Sequence, residues 1–372
     1  VTRAAATFAL VALVAATSAA AQTFRSEAEA FRVVRLTRGL DHPWSLAFLP
    51  DGGMLVTERP GRLRVIRDGK LAAQPVAGLP EVAEHGQGGL FDVALHPNFA
   101  HNRLVYLAYA ARGADGYGTE LARGRFTGTR LEDVEVLFRQ DPKGNTGRHF
   151  GGRIVFDRAG FVYLTLGDRG EMARAQKPGD HAGSVIRLHD DGRVPQDNPF
   201  VGKPGWKPEK YTLGNRNMQG AALHPVSGML WTHEHGPQGG DEVNIIRSGV
   251  NYGWPVITYG VNYGIGTKIG EGTHKEGMAQ PLYYWVPSIA PSGMAFYTGE
   301  RFARWKGDLF VGALKDQTLV RLTLKGEKVV HEERLLKGVL GRIRDVRSGP
   351  DGYLYLLTDY SEGELVRLEP AD

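Results

Sequence analysis

A histidine set in a run of glycines is the first place in this chain where chemistry could begin. Gly147-Arg148-His149-Phe150-Gly151-Gly152-Arg153 puts an imidazole directly ahead of an apolar stretch that reads as a strand. Glycines let a backbone approach a ligand closely, and an imidazole held there is a candidate general base. Nineteen residues on, Leu166-Gly167-Asp168-Arg169-Gly170 ends the partner strand of the same hairpin. Asp168 is therefore placed to reach back to His149, orient it and raise its basicity, a pairing common to hydrolytic and redox sites.

Three further clusters are polar in a chemically directed way. In Leu213-Gly214-Asn215-Arg216-Asn217-Met218-Gln219-Gly220 a guanidinium stands among amides, a fork of donors suited to carbonyl or carboxylate oxygens. Glu234-His235-Gly236-Pro237-Gln238-Gly239-Gly240-Asp241-Glu242-Val243-Asn244 is dense in oxygen ligands and bendable backbone, which favours calcium. His233 and His235 share one face of a strand but lack a clear third ligand, which weighs against zinc. Lys315 and the alternating pair Arg342 and Arg344 come late in the chain. Side chains two apart on a strand project to one side, so the two arginines form a pincer for carboxylates.

Something must bring segments so far apart in sequence together, and a repeat supplies it. Alternating apolar residues, a turn and a second alternating run recur around Ala47, Ala94, Val155, Ala222, Ala295 and Val346. The spacings are 47, 61, 67, 73 and 51 residues, suited to one four-stranded blade plus loops. Period-two alternation means that each strand offers apolar rows to its neighbours on either side. The expectation is an all-β, six-bladed β-propeller with four-stranded antiparallel blades; an irregular β-sandwich is the alternative. Only Ser26 to Val34 shows a short helical spacing. In a closed propeller, loops from distant positions meet at one mouth of the central channel, and the polar clusters fall in such loops.

Composition bounds the rest. With 45 Lys and Arg against 41 Asp and Glu, mixed throughout and without a basic block, nucleic-acid binding is a poor reading. The 50 glycines and 20 prolines fit many tight turns between short strands, and the absence of cysteine excludes disulfides and thiolate metal sites. Arg3, the apolar run from Phe8 to Ala16 and the small residues Ser18-Ala19-Ala20-Ala21 read as a secretory signal over residues 1–21. That leaves residues 22–372 as a single catalytic propeller, periplasmic or secreted, without a membrane span and acting as a monomer or dimer.

Together these motifs, with Asn251-Tyr252-Gly253-Trp254-Pro255, resemble the soluble quinoprotein glucose/aldose sugar dehydrogenase family, especially its bacterial aldose sugar dehydrogenase branch. The resemblance runs from about His42 to Arg367, with the motifs in order. It implies pyrroloquinoline quinone and calcium as cofactors, an aldose oxidised at its anomeric carbon to an aldonolactone, and a separate electron acceptor. It makes His149 the catalytic base, Asp168 its acidic partner and Arg216, with Asn217 beside it, the contact to the quinone carbonyls. Gly236 and Pro237 match the backbone carbonyls that hold an active-site calcium. Gln87, Lys315, Arg342 and Arg344 match polar contacts to the cofactor, and Trp285 an aromatic near cofactor or sugar. Glu242 and Tyr252 look like ligands of a second, structural calcium. Arg148 departs from the acidic residue of glucose-specialised members, so strict glucose specificity is not implied. Met218 replaces a proline often found after Arg-Asn. A calcium-dependent lactonase would also want a His and a calcium but not the cation trio. A non-catalytic glycan- or protein-binding propeller would not want the His–Asp pair.

Overall fold

The six anchors of the repeat each fall on the innermost strand of a blade. In the computed structural model, which describes residues 22–371, these strands are Pro43–Phe48, Leu90–Leu95, Gly151–Phe156, Met218–Leu223, Pro291–Phe296 and Ile343–Ser348. They touch in chain order and the sixth returns to the first, closing a ring. Antiparallel strands run outward from each. The six-bladed expectation holds. The expected cleavage after Ala21 lies outside the described residues.

Two blades depart from four strands. Blade 3 has three, because after Ser184–Leu188 the chain makes a single bridge, Ile186 to Lys210, where an outer strand would lie. Blade 6 has five, because Ala30–Leu40 pairs with the C-terminal Gly363–Pro370 and Thr23–Arg25 adds outside it. This pairing of the two ends of the chain fastens the ring. It also explains why Ser26 to Val34 leads into a strand: its apolar residues pack in the core around Phe31 and Trp305.

Second strands are sandwiched between neighbouring blades, so Met54–Glu58, Val162–Leu166, Leu230–Glu234, Leu309–Ala313 and Leu354–Thr358 are buried at every position. Between blades 4 and 5, for example, the Trp231 ring meets Phe296 edge-on at 5.3 Å in a cluster that includes Met294, Val311 and Val320. Among the described residues no helix is long and apolar enough to cross a membrane.

On the axis, apolar packing gives way to charge. The Arg153 guanidinium, 1% exposed, reaches Asp92 at 3.2 Å and Asp345 at 3.1 Å. Arg347 bonds both aspartates, at 2.9 and 2.8 Å, and Ser45 at 3.0 Å. Asp92 and Asp345 also accept the backbone N–H groups of Ile154 and Leu46. Two cations and two anions thus tie the innermost strands of blades 1, 2, 3 and 6 into a neutral plug. Asp92→Ala should destabilise the fold by about 3–5 kcal/mol, because it leaves one buried cation uncompensated. Urea denaturation followed by tryptophan fluorescence measures this.

Candidate functional site

Directly above the plug the ring opens into a cavity of about 460 Å³. Its apolar walls are Trp44, Phe91 and Phe150, and its polar lining includes Gln87, Gln219, His235, Arg342, Arg344 and Asp359. Trp44 lies over the Arg153 guanidinium at 4.3 Å, and the Gln219 carbonyl accepts from Arg153 Nε at 2.9 Å. The plug is therefore the cavity floor.

His149 immediately precedes the lining residues Phe150 and Gly151 and is bonded to a third, Gln87. Its backbone has φ +54°, a conformation that non-glycine residues rarely adopt and that functional sites favour. Several contacts hold it. Its N–H donates to Gln87 Oε1 at 2.9 Å, while Asn217 Oδ1 accepts the Gly151 N–H at 3.1 Å. Gly167 packs so closely beneath that a Cβ there would run into the His149 carbonyl.

His149 Nδ1 lies 2.6 Å from Asp168 Oδ1. An aspartate with no solvent exposure also accepts from Gly170 N at 2.7 Å and, through Oδ2, from Trp254 Nε1 at 2.7 Å. Burial pushes the Asp168 carboxyl up, but the hydrogen bond and charge of His149, the charge of Arg216 and the Gly170 N–H outweigh it. Its pKa ends below the ordinary carboxylate value. Since an ionised carboxylate only accepts, Nδ1 carries the proton and Nε2 presents a lone pair. Burial, with the charges of Arg216 and Arg148, takes the His149 pKa below its ordinary value despite the opposing pull of Asp168. The imidazole is therefore neutral at neutral pH and able to accept a proton. Arg148 is exposed beside it.

Arg216 is joined to the same pair. Its carbonyl accepts the Asp168 N–H at 2.8 Å, its Nη1 donates to the His235 carbonyl at 2.9 Å, and its guanidinium lies 5.2 Å from the Trp254 ring centre. Across the cavity, Arg342 Nη2 and Arg344 Nη2 each donate to Asp359 Oδ2 at 2.9 Å, and Arg344 Nη1 donates to Gln219 at 2.8 Å. Burial alone would raise the Asp359 pKa, but the charges and hydrogen bonds of Arg344 and Arg342 bring it down to about 2. The Nε atoms of Arg216 and Arg344 are buried without a hydrogen-bond partner among the described residues. Lys315 is exposed, one residue beyond the lining residue Leu314.

The oxygen-rich loop sits beside Arg216. Asp241 accepts from Gly236 N at 2.8 Å, Ile289 N at 2.7 Å and Ala290 N at 3.0 Å, which binds the Gly236-Pro237 turn to the cavity wall. Gly236, Glu242 and Tyr252 line a smaller void together with Glu234, Arg216 and Trp254. Glu242 is held well above the ordinary carboxylate range by burial and by the charge of Glu234.

Trp285 is not part of the cavity. It ends the outer strand Tyr283–Trp285 of blade 4, packs between blades with Trp231, Ile289 and Met294, and donates to Glu332 at 2.7 Å. The strand alternation turns its ring into the core, and Trp44, Phe91 and Phe150 supply the aromatic walls. Sequence reasoning passed over Asp359, Asp241, Trp44 and Trp254 as site residues. The one available signal was positional: Asp359 directly follows the second strand of its blade, as Asp168 closely follows that of blade 3.

The sequence profile of the family described as Glucose / Sorbosone dehydrogenase matches residues 40–367. The chain belongs to this family. The aldose sugar dehydrogenase YliI of Escherichia coli K12 is 48% identical over 337 residues, covering 89% of this chain and 91% of that protein. Among solved structures, the apo-form of the soluble aldose sugar dehydrogenase of Escherichia coli superposes with TM-score 0.89 at 47% identity, covering 92% of this chain and 100% of the other. The PQQ-bound aldose sugar dehydrogenase of Streptomyces coelicolor gives 0.75 at 28% identity, covering 91% and 98%.

The charge of Asp168 is one of the influences that hold the His149 pKa up. Asp168→Asn should therefore move the His149 titration still lower, which imidazole NMR of the cofactor-free protein measures directly.

Proposed function

We propose that this chain is a quinoprotein aldose sugar dehydrogenase, oxidising the anomeric carbon of an aldose to an aldonolactone with pyrroloquinoline quinone and calcium. The observation that carries the reading is a neutral imidazole held by an ionised aspartate, bonded to Gln87 of the same cavity that Arg342 and Arg344 line. Arg342 and Arg344 already hold Asp359, and a lactonase would have no use for the donor that Arg344 keeps free at Nε. Export to the periplasm or beyond, and delivery of electrons to a separate acceptor, belong to the same proposal.

The residues present fit the cofactor. A tricarboxylate wants clustered cations with free donors, and the buried Nε atoms of Arg216 and Arg344 are such donors. Arg342, Arg344 and Lys315 would hold carboxylates, with Gln87 and Asn217 nearby, and Arg216 the quinone carbonyl edge. The Gly236 and Pro237 carbonyls would hold the active-site calcium, and Glu242 with Tyr252 a second, structural one. Once bound, the quinone supplies the acceptor for the hydride leaving sugar C1, and calcium supplies Lewis acidity that no side chain offers.

The chain's own part is proton handling and orientation. His149 Nε2 takes the proton of the anomeric hydroxyl, and Asp168 keeps the imidazole in the accepting tautomer and stabilises the imidazolium that forms. Arg216 stabilises negative charge developing on oxygen nearby. Trp44, Phe91 and Phe150 exclude water from the sugar-binding space and strengthen these interactions.

His149→Ala should keep quinone and calcium yet lose about 10²–10⁴ in the rate at which excess aldose reduces bound quinone. Stopped-flow absorbance measures this, and a nearly wild-type rate would move the base elsewhere. Arg344→Ala should weaken quinone binding by about 1.5–3 kcal/mol, the worth of a charge-assisted hydrogen bond. An unchanged quinone titration would place Arg344 outside the site.

A further inference from the structure

The Asn251-Tyr252-Gly253-Trp254-Pro255 segment carries an indole that the proposed reaction leaves unused. Trp254 is 5% exposed and packs with Ala175 and Ile269. A buried indole N–H needs an acceptor, and any backbone carbonyl would satisfy it. Here the acceptor is Oδ2 of Asp168, at 2.7 Å, on the carboxylate whose other oxygen holds His149. The same ring lies beneath the Arg216 guanidinium.

The indole is itself firmly fixed. Its backbone N–H donates to the Gly214 carbonyl at 2.8 Å, and its carbonyl accepts from Gln176 Nε2 at 2.7 Å. Gln176 and Asn251 exchange amide hydrogen bonds at 2.7 and 3.0 Å, bracing the turn from outside. Gly253 has φ +90° and leaves no room for a Cβ against Ile257. A ring so held can set the direction of Asp168.

We propose that Trp254 is a positioning residue for the His149–Asp168 pair, fixing the carboxylate plane and limiting its basicity through a donor that never ionises. The hydrogen bond to Oδ2 drains electron density that Oδ1 would otherwise offer to His149. Without it the carboxylate holds an imidazolium more tightly, so His149 stays protonated to higher pH and is a poorer base at neutral pH. Arg148, Arg216, His235 and Glu234 also act electrostatically on the pair, and the substitution leaves them in place.

The inference rests on His149 as the base, but its test does not depend on turnover. Trp254→Phe keeps a ring and removes the N–H; benzothienylalanine at position 254 keeps the full bicyclic shape and removes the same donor. In cofactor-free protein, imidazole NMR should show His149 titrating about 0.5–1 pH unit higher in either variant, with a shifted Nδ1–H proton resonance. In loaded enzyme the acid limb of the rate profile should move up by the same amount, with kcat reduced and KM nearly unchanged. A His149 titration that stays at the wild-type value in the benzothienylalanine protein would overturn the proposal, whether or not Trp254→Phe folds. If the titration moves while turnover of the loaded enzyme does not depend on His149, the positioning role stands and the proposed base falls.

Discussion

Four charges on the axis, three of them buried, set the conditions for everything above them. Arg153, Arg347, Asp92 and Asp345 come from the innermost strands of three blades and bind the backbone or side chains of a fourth. Charges removed from water are tolerated only when neutralised and hydrogen-bonded in good geometry. The inner strands must therefore stand in one register about the axis, which apolar packing between blades alone does not impose. Because Trp44 and Gln219 rest on this plug, the floor of the cavity is as fixed as the ring itself.

Above the floor, acidic residues at the ends of second strands organise the polar groups. Glu58 accepts from Arg62 and Arg64, Asp168 from His149, Glu234 from the Arg216 backbone and Asn215, and Asp359 from Arg342 and Arg344. Each stands where a strand leaves the core for the mouth, so each carboxylate is drawn out of solvent while a cation or donor from a neighbouring strand or loop meets it. One structural position, repeated around the ring, is thus used at Asp168 to hold the His149 imidazole. At Asp359 it aims two guanidinium groups, and at Glu234 it anchors the Arg216 backbone.

Much of this was legible in the sequence. Strand alternation and blade-length spacing identify the innermost strands, because a strand sandwiched between sheets leaves a local apolar pattern. The His149 and Asp168 pairing was legible for a similar reason: both flank one hairpin, and the ladder between Gly151–Phe156 and Val162–Leu166 fixes their proximity. Contacts between blades leave no local trace. Trp254 meets Asp168 from the neighbouring blade, so spacing says nothing of it, whereas Asp359 meets Arg342 and Arg344 within one hairpin and was as open to reasoning as Asp168. Trp285 shows the converse, since an aromatic near the polar loops looks like a site residue until strand pairing turns it inward. The missing fourth strand of blade 3 is equally hidden, because the segment at Lys210 pairs at one bridge only.

The reading of the cavity as one site requires quinone and calcium to act there together. The most direct measurement is aldose-dependent dye reduction by chelator-treated protein given quinone alone, calcium alone, or both. Activity should appear only when both are supplied. Full sugar oxidation in the presence of chelator and without quinone would contradict the assignment of this cavity.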